Sequence, residues 1–323
     1  MSRLVSKDLS GVASFIASDS CKNVVVLSGA GVSCAAGIPD FRSPGGMYAT
    51  LRPELLTATA QQRALMARDP TYVVVKDMFL ANQFPYHEVR RPFILGTQDQ
   101  QWKATLFHRF VEVLDKKGKL LRHVTQNIDG LDFQTAVDPE RVIPCHGSVG
   151  RAACEVCAAP IDFADYCDRV RTNIKDIYGV DPSAPKTSTN LRCDACGKPT
   201  LKPTTVLFGA SLPASFFESL ERDLPRADLV LVAGTSLVVS PANMVAATAP
   251  ATAVRVVVDR EPVGRDLGIQ YGASATRDDV FLRGDVDGVI AALAKELGWL
   301  GDIGQRRADL PEASRGTLDA LAA

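Results

Sequence analysis

The residues best suited to catalysis are polar, and they follow short apolar stretches of the kind that form buried strands. They come from three separate segments of the chain. The residues are Asp40 and Arg42 in the first segment, Gln126, Asn127 and Asp129 in the second, and His146 in the third. In a parallel sheet the ligand crevice lies beyond the carboxyl ends of the strands, so these segments would bring acids, amides and an imidazole to one rim. An imidazole at such a rim can act as a general acid or base near neutral pH.

The chain has four histidines, and His146 is the one that directly follows a predicted strand and precedes a glycine. His87 lies in a helical segment, His108 on an amphipathic helix and His123 inside a strand. The alternative for any single histidine is a hydrogen-bonded core residue. The position of His146 between a strand and Gly147 favours a role at the rim.

Two Cys-x-x-Cys pairs could bind a metal ion. Cys154 and Cys157 form the first pair, and Cys193 and Cys196 form the second. Four thiolates can surround Zn²⁺ as a tetrahedron with no open position, which predicts a structural site and no catalysis at the metal. The pairs are separated by 35 residues, more than the roughly 15–20 of common zinc ribbons. Chance pairing and a redox disulfide therefore stay as alternatives.

The other cysteines and the N-terminus indicate a reducing compartment. Eight cysteines in 323 residues are too few for a disulfide scaffold. The first twenty residues lack the continuous apolar core of a secretory signal, and Asp8 and Asp19 argue against a transit peptide. Cys21, Cys145 and Cys167 are most simply explained as buried small residues.

A glycine turn follows the first predicted strand. Gly29, Ala30 and Gly31 lead from this strand into a helix, where backbone N–H groups and the helix dipole favour phosphate. Cys34 stands where a dinucleotide fingerprint has its third glycine, and no clear ribose-binding acid follows about 20 residues later. A tight structural turn is the alternative, and a hydride-transferring dehydrogenase fits poorly.

The elements that must position these residues alternate between apolar strands and helices. Strands are predicted at 23–27, 121–125, 142–144, 204–208, 229–233 and 254–258, and helices at 9–19 and 102–117. Strands buried on both faces with helices between them predict an α/β fold, with a doubly wound, Rossmann-like parallel sheet. Two insertions interrupt this pattern, and we expect them to form a smaller helical and zinc-binding domain.

The predicted domains follow from these interruptions. Residues 1–50, 102–150 and 201–300 form the Rossmann-like domain, while the helical insertion 51–101 and the zinc-binding insertion 151–200 form the small domain. The polar tail, 301–323, is predicted to be a loose terminal helix or disordered.

Charge and hydropathy exclude two classes of partner. The 36 Lys and Arg residues against 37 Asp and Glu give a net charge of -1, whereas proteins that bind nucleic acid through phosphates usually carry a basic surplus. The uncharged stretch 229–254 is long enough to span a bilayer, but glycine, asparagine and two prolines divide it into short pieces. We expect neither nucleic acid nor membrane as a partner.

Several motifs occur along the chain in a fixed order. Besides the cysteine pairs they are GAGVSxxxGIPDFRSPxGxY (29–48), TQNIDGL (125–131), HGS (146–148), KPTTVLFG (202–209) and GTSLVVSP (234–241). From about residue 9 to residue 300 the chain resembles the sirtuins, the NAD-dependent protein-lysine deacylases. Within that family it is most similar to the eukaryotic deacetylase branch.

The resemblance implies a complete NAD site. The glycine turn and the segment after the strand at 229–233 would hold the phosphates, 40–42 would belong to a mobile cofactor loop, and 126–129 would contact the nicotinamide and its ribose. Residues after 258 would contact the adenosine. The implied NAD-binding residues are Gly29, Ala30, Gly31, Asp40, Phe41, Arg42, Gln126, Asn127, Ile128, Asp129, Gly234, Thr235, Ser236, Asp259, Glu261 and Val286.

The resemblance also implies the reaction. NAD is consumed as a co-substrate: the acyl oxygen attacks the ribose carbon as nicotinamide leaves, and the products are deacylated lysine, nicotinamide and O-acyl-ADP-ribose. His146 would be the general base on a ribose hydroxyl, with Asn127 as the second catalytic residue. One structural zinc per chain would hold the small domain together.

The implied substrate is an acyl-lysine peptide or protein, histone tails included. The residues that would line the acyl-lysine tunnel and pair with the peptide as an added strand are Val206, Leu207, Phe208 and Gly209. The implied compartment is the cytoplasm, the nucleus or both.

Three departures from the family pattern affect specificity. Asp259 stands where the family usually has an asparagine, and an acid can accept from a ribose hydroxyl but cannot donate to it as an amide does. Ala210 replaces an acid after the substrate strand. The Tyr-x-x-Arg pair of desuccinylases is absent, because Tyr72 has Val75 three residues later. Short or apolar acyl groups are therefore expected. A mono-ADP-ribosyltransferase, a longer-chain deacylase and a catalytically weak binding module are the alternatives.

Overall fold

A six-stranded parallel sheet forms the centre of the chain. The computed structural model describes residues 2–38, 46–272 and 275–322. In chain order the strands are β1 (Val24–Ser28), β2 (Leu120–Thr125), β3 (Val142–Pro144), β4 (Ala152–Cys154), β5 (Pro160–Ile161), β6 (Leu201–Pro203), β7 (Leu229–Ala233), β8 (Val254–Asp259) and β9 (Asp279–Arg283). The large sheet has the order β3-β2-β1-β7-β8-β9 with all neighbours parallel. The predicted fold class is confirmed.

The strand order reverses between β1 and β7. The chain builds outwards from β1 through β2 to β3, then returns and starts β7 on the other side of β1. At such a point the connections leave in opposite directions, so a crevice opens outside the carboxyl ends of the two strands. The loops after β1 and β7 border this crevice.

Helices cover both faces of the large sheet. The helices of the described residues are α1 (Leu9–Ala17), α2 (Ala60–Arg68), α3 (Lys76–Ala81), α4 (Phe84–Gln98), α5 (Leu106–Lys116), α6 (Phe163–Asn173), α7 (Ala214–Arg222), α8 (Met244–Ala247), α9 (Val286–Glu296), α10 (Leu300–Gly304) and α11 (Glu312–Ala322). Of these, α1, α5 and α7 to α11 share the cores of the large sheet. Val24 and Val26 of β1 share a core with α1, α5 and α9. Val25 and Leu27 face the other way, into a core with α7 and α8. Burial on both faces explains the uninterrupted apolar sequence of these strands.

A second structural unit lies beside the sheet. Its antiparallel strands have the order β5-β4-β6, and their core joins Ile94 of α4 to Tyr166 and Val170 of α6. A neighbouring apolar cluster joins helices α3 and α4 to Leu207. This unit therefore draws on two separate segments of the chain, one before and one after β2.

The segment 204–208 does not form the strand that its sequence predicts for the parallel sheet. Strand β6 ends at Pro203 and pairs with β4 in the small sheet. Beyond it, the Val206 N–H donates to the His146 carbonyl at 2.8 Å, and the Phe208 N–H donates to the Val74 carbonyl at 2.9 Å. The segment lies outside both sheets, because its backbone partners belong to the loop between β3 and β4 and to the helical segment around Val74.

The C-terminal segment is ordered, which corrects the prediction of a loose or disordered tail. Helix α11 buries Ser314 and Leu318 against the large sheet's helical layer. The Ser314 hydroxyl donates to an Asp287 carboxylate oxygen at 2.5 Å and accepts from the Leu106 N–H at 3.3 Å. These contacts fix the tail to the starts of α5 and α9.

Of the helices in the described ranges, none has the length and apolar character needed to cross a membrane.

An ion pair buried between β8 and β9 stabilises the edge of the large sheet. Arg255 donates to both carboxylate oxygens of Asp279, at 2.7 and 2.6 Å, and neither side chain is more than 1% exposed. Arg255 also donates to the Ala246 and Gly268 carbonyls, and the Gln270 N–H donates to Asp279. The pair thus connects two strands with helix α8 and with the loop that contains Gly268 and Gln270.

We predict that Asp279→Asn lowers the free energy of unfolding by about 3–5 kcal/mol, because it leaves a buried guanidinium without its counter-charge. Urea denaturation followed by circular dichroism measures the change. Asp319→Asn is the matched control, since Asp319 pairs with Arg307 on the surface and should change stability little. Equal midpoints for Asp279→Asn and the wild type would contradict the prediction.

Candidate active site

Two glycine turns contact each other where the strand order reverses. The Gly29 N–H donates to the Ala233 carbonyl at 3.0 Å, and the Gly31 N–H donates to the Gly234 carbonyl at 2.9 Å. A Cβ atom on Gly31 would lie 2.6 Å from the Gly234 Cα, and one on Gly234 would lie 2.7 Å from the Gly31 Cα. Gly234 also has a φ of 60°. Only glycines allow this approach of two backbones.

The turn after β1 opens a short 3-10 helix, Ala30–Ala36. The sequence predicts that this turn binds phosphate. Because the amides of Gly29 and Gly31 already donate to backbone carbonyls, they are not the free donors that the motif suggests. The next amide is occupied as well, because the Val32 N–H donates to the Gly29 carbonyl at 3.1 Å. The phosphate-binding role of this turn therefore stays a prediction.

A buried hydrogen-bond chain links the turn after β1 to the loop after β2. The Asn127 amide donates to the Ser33 hydroxyl at 3.0 Å, and that hydroxyl donates to Asp129 at 2.7 Å. The second carboxylate oxygen of Asp129 accepts from the Leu131 N–H at 3.0 Å. The structure therefore brings Asn127 and Asp129 together, as the sequence predicts. Sequence reasoning did not single out Ser33, although its place just after a glycine turn was a usable signal.

His146 stands at the end of β3 with a defined tautomer. Its Nδ1 lies 2.9 Å from the Gln126 carbonyl. A carbonyl can only accept, so Nδ1 carries the proton and Nε2 is left as an acceptor. Within the described residues Nε2 has no hydrogen-bond partner. Burial lowers the pKa of His146 below its ordinary 6.5, which keeps the ring neutral near pH 7.

Gln126 connects the same region to the loop after β7. Its side-chain amide donates to the Thr235 hydroxyl at 3.0 Å, and its backbone N–H donates to the Ser28 carbonyl at 2.9 Å. Thr235 is buried, while Ser236 is exposed. Loops from β1, β2, β3 and β7 thus meet at one rim, as the strand-end argument predicts.

Two buried carboxyl groups lie behind the rim. Burial, reinforced by the neighbouring Asp132 carboxyl, raises the pKa of Asp129 to about 6, and burial raises that of Asp132 to about 6. One Asp132 oxygen lies 3.7 Å from His108 Nε2 and 3.5 Å from His123 Nδ1. Burial lowers the pKa of both histidines to about 3. Sequence reasoning did not identify this cluster, because its members come from a helix, a strand and a loop.

The residues proposed for the acyl-lysine tunnel lie beside His146. Val206 donates its N–H to the His146 carbonyl. Leu207 is buried in the helical cluster, whereas Phe208 is 42% exposed. Gly209 has a φ of 88°, which turns the chain away. The partly exposed ring of Phe208 therefore lies at the far end of a segment whose first residue bonds His146.

The remaining predicted residues occupy the other strand ends. Asp259 ends β8, where one of its carboxylate oxygens accepts from the Arg260 and Glu261 amides at 2.7 and 3.3 Å. Burial raises its pKa. Val286 is buried at the start of α9, and Ile128 is buried in the core of the small unit. Asp40, Phe41 and Arg42 lie outside the described residues.

The four cysteines of the two pairs form one cluster. Their Sγ atoms all lie within 4.8 Å of one another. Across the pairs, Cys154 and Cys196 are 3.7 Å apart and Cys157 and Cys193 are 3.6 Å apart. A tetrahedron with Zn–S bonds of about 2.3 Å has edges of about 3.8 Å, whereas a disulfide requires about 2.05 Å. The donor set and spacing fit one structural zinc ion, and the disulfide alternative is wrong.

Comparison with known proteins agrees with this site. The family model described as "Sir2 family" matches residues 29–241. The chain is 34% identical to human "NAD-dependent protein deacetylase sirtuin-1" over 280 residues. This matched region covers 86% of this chain and 32% of that protein. It is 31% identical over 302 residues to zebrafish (Danio rerio) "NAD-dependent protein deacetylase sirtuin-2", covering 90% and 72%.

A third relative is covered over most of its length. "NAD-dependent protein deacetylase hst2" of Schizosaccharomyces pombe is 34% identical over 301 residues, which cover 92% of this chain and 79% of that protein. By contrast, the chain spans 44% of rat sirtuin-1 and about a third of the human protein. All these proteins carry names of NAD-dependent deacetylases.

We predict that the purified chain contains one zinc ion and that Cys193→Ser loses it, because three thiolates cannot close the tetrahedron. Inductively coupled plasma mass spectrometry measures the metal, and thermal unfolding should show a lower midpoint for the variant. Cys34→Ser is the control, since Cys34 is exposed and lies outside the cluster. Retention of a full zinc equivalent by Cys193→Ser would contradict the assignment.

Proposed function

The chain belongs to the Sir2 family, and on that premise we propose that it is an NAD-dependent protein-lysine deacetylase. The observation that carries the proposal is the meeting of Asn127, Asp129 and His146 with two glycine turns at one sheet edge. The named relatives are deacetylases, and the transfer of their activity to this chain is an inference from family and site together.

NAD would lie along the carboxyl ends of the large sheet. Its phosphates would meet the start of the 3-10 helix and the turn at Gly234, with Thr235 and Ser236 beside them. Gln126 and Asn127 would contact the nicotinamide ribose. Ile128 and Asp129 would hold the carboxamide. The family resemblance assigns Asp40, Phe41 and Arg42 to the cofactor loop, and it assigns Asp259, Glu261 and Val286 to the adenosine.

His146 is suited to act as the general base. The reaction joins the acyl oxygen to the ribose carbon of NAD as the bond from that carbon to nicotinamide breaks. One water molecule is then consumed as the lysine amine is released, so the products are nicotinamide, O-acetyl-ADP-ribose and free lysine. His146 donates its Nδ1 proton to the Gln126 carbonyl, so Nε2 can accept a proton from a ribose hydroxyl. Partial burial keeps the ring neutral and ready to accept.

The substrate would be an acetyl-lysine peptide or protein. The segment Val206 to Gly209 leads from the imidazole to the surface, where the ring of Phe208 is exposed. An extended peptide could add to this segment through backbone groups other than those of Phe208, which already bond Val74 and Lys76. A histone tail would be recognised by this edge and by the acyl tunnel. The net charge of -1 supplies little general attraction for a basic tail.

The small unit would be a structural domain formed by the insertions 51–101 and 151–200. Arg91 of the first insertion donates to the Ile174 carbonyl at 2.9 Å and pairs with Asp181 at 2.6 Å. Zinc would close the second insertion and take no part in the chemistry. The remaining segments, 1–50, 102–150 and 201–300, would form the NAD-binding domain.

The compartment proposed for the enzyme is the cytoplasm, the nucleus or both.

We predict that wild-type protein releases nicotinamide from NAD in the presence of an acetyl-lysine peptide, and that His146→Ala lowers this rate by about 10²–10⁴-fold through loss of the general base. Liquid chromatography of nicotinamide and O-acetyl-ADP-ribose measures both products. The control is an unchanged zinc content and unfolding midpoint in the variant. NAD label retained on protein would indicate ADP-ribosyl transfer instead, and equal rates for both proteins would exclude His146 as the base.

We predict that kcat/KM for NAD is constant through neutrality and falls as the pH decreases through about 6. Asp129 becomes protonated there, since its pKa is about 6, and His146 has its pKa below 6.5. Both groups act in their unprotonated forms, so each contributes activity above its pKa that is lost below it. Rates measured in overlapping buffers test this. An acidic limb centred above 6.5, with the protein still folded, would contradict it.

A further inference from the structure

The carboxylate of a residue beside the cysteine cluster contacts the segment proposed to receive the peptide. Glu155 lies directly after Cys154, and its side chain is only 15% exposed. One of its oxygens lies 3.1 Å from the Lys202 Nζ and the other lies 3.3 Å from the Lys76 Nζ. A single acidic residue within the first cysteine pair therefore binds two lysines on two different elements.

Lys202 holds the start of the substrate segment. Its Nζ is buried and donates to the Pro203 carbonyl at 2.9 Å and to the Thr205 carbonyl at 2.6 Å. The next residue, Val206, donates its N–H to the His146 carbonyl. A buried ammonium requires a counter-charge, and Glu155 supplies it. The carboxylate thus keeps Lys202 where it can fix the backbone just before the imidazole.

Lys76 holds the other end of the same segment. It begins α3, and its backbone N–H donates to the Phe208 carbonyl at 3.0 Å. The Phe208 N–H donates in turn to the Val74 carbonyl at 2.9 Å. The side chain of Lys76 reaches Glu155, so one carboxylate is connected to both ends of the run from Pro203 to Phe208.

The second cysteine pair offers a natural comparison. Asp194 directly follows Cys193, the position that corresponds to Glu155 in the first pair. Its carboxylate is 75% exposed and pairs with Arg169 at 2.6 Å on the surface. The two pairs therefore carry the same kind of acid at the same position, and only Glu155 contacts the substrate side.

We propose that Glu155 is a positioning residue that transmits the rigidity of the cysteine cluster to the segment 203–208 and so sets the affinity for the acyl-lysine peptide. The proposal rests on the proposed function for its substrate, and on contacts of this chain for its mechanism. Within the described residues the carboxylate of Glu155 bonds Lys76 and Lys202, and it bonds no residue of the loops after β1, β2 or β7. It should therefore affect the peptide and leave NAD binding unchanged.

The first test is hydrogen–deuterium exchange on zinc-loaded protein, which requires no activity. Glu155→Gln keeps the size of the side chain but removes its charge, and it should raise the exchange rate of the Val206 and Phe208 amides roughly tenfold, the usual effect of losing one charged hydrogen bond. Asp194→Asn is the matched control and should exchange like the wild type. Unchanged exchange in Glu155→Gln, with one zinc per chain, would overturn the proposal.

The second test is kinetic. Glu155→Gln should raise KM for the acetyl-lysine peptide roughly tenfold, with kcat and KM for NAD within about twofold of the wild type. A fall in kcat alone, or an unchanged peptide KM despite faster exchange, would overturn the proposal. If the wild type releases no nicotinamide, the proposed function fails, while the exchange experiment still decides whether Glu155 fixes the segment.

A further variant covers the case in which Glu155→Gln does not fold. Lys76→Met removes only the partly exposed partner and leaves the buried Lys202 paired with Glu155. It should raise exchange at Phe208 and leave Val206 protected, because the two lysines hold opposite ends of the segment. Equal protection of both amides in Lys76→Met and the wild type would count against the proposal.

Discussion

The site depends on the contact between two peptide backbones. Gly31 and Gly234 approach so closely that neither has room for a Cβ atom, and β1 and β7 are paired in parallel register directly beneath them. Because these strands flank the point where the sheet order reverses, the contact sets how near the two halves of the crevice lie. The loop after β2 is attached to the same frame, since the Gln126 N–H donates to the Ser28 carbonyl.

The second constraint is electrostatic and follows from burial. His108 and His123 are neutral at pH 7 because burial lowers their pKa to about 3, and Asp129 and Asp132 have pKa values raised to about 6. Within this cluster of two histidines and two carboxyl groups, charge at pH 7 is therefore confined to the carboxyl groups. In this low-dielectric setting a hydrogen bond to Asp129 is stronger than it would be in water. The Nδ1 of His146 instead bonds the neutral Gln126 carbonyl, which fixes its tautomer.

The sequence predicts the sheet better than it predicts the connections. Strands 229–233 and 142–144 have the observed bounds, because runs buried on both faces leave an unmistakable apolar pattern. The run 204–208 has a similar pattern, but hydrophobicity does not specify a pairing partner, and its backbone bonds go to the loop between β3 and β4 and to the helical segment around Val74. The tail looked loose because its few apolar residues are spaced widely. Leu310 and Leu318 are nevertheless buried, and Ser314 adds a polar contact that no periodicity reveals.

Within the site, sequence reasoning found the residues at strand ends and missed those that hold them. Ser33 and Asp132 act through side chains that meet only after β1, β2 and α5 have been assembled. No spacing rule records such a meeting. The cysteine pairs were different, because the Cys-x-x-Cys spacing itself predicts tetrahedral coordination of a metal ion by four thiolates. The observed separations between Sγ atoms match this geometry.

The segment 203–208 shows why a metal remote from the chemistry still matters to it. This segment lies outside the large sheet, so the strand pairing that positions the loops proposed to bind NAD does not position it. Its position comes from single backbone contacts with Val74 and His146 and from two lysines gathered by Glu155. An insertion of about fifty residues has too small a core to be rigid without a covalent or metal closure. The cysteine cluster supplies that closure, and Glu155 is the point where its rigidity meets the proposed substrate path.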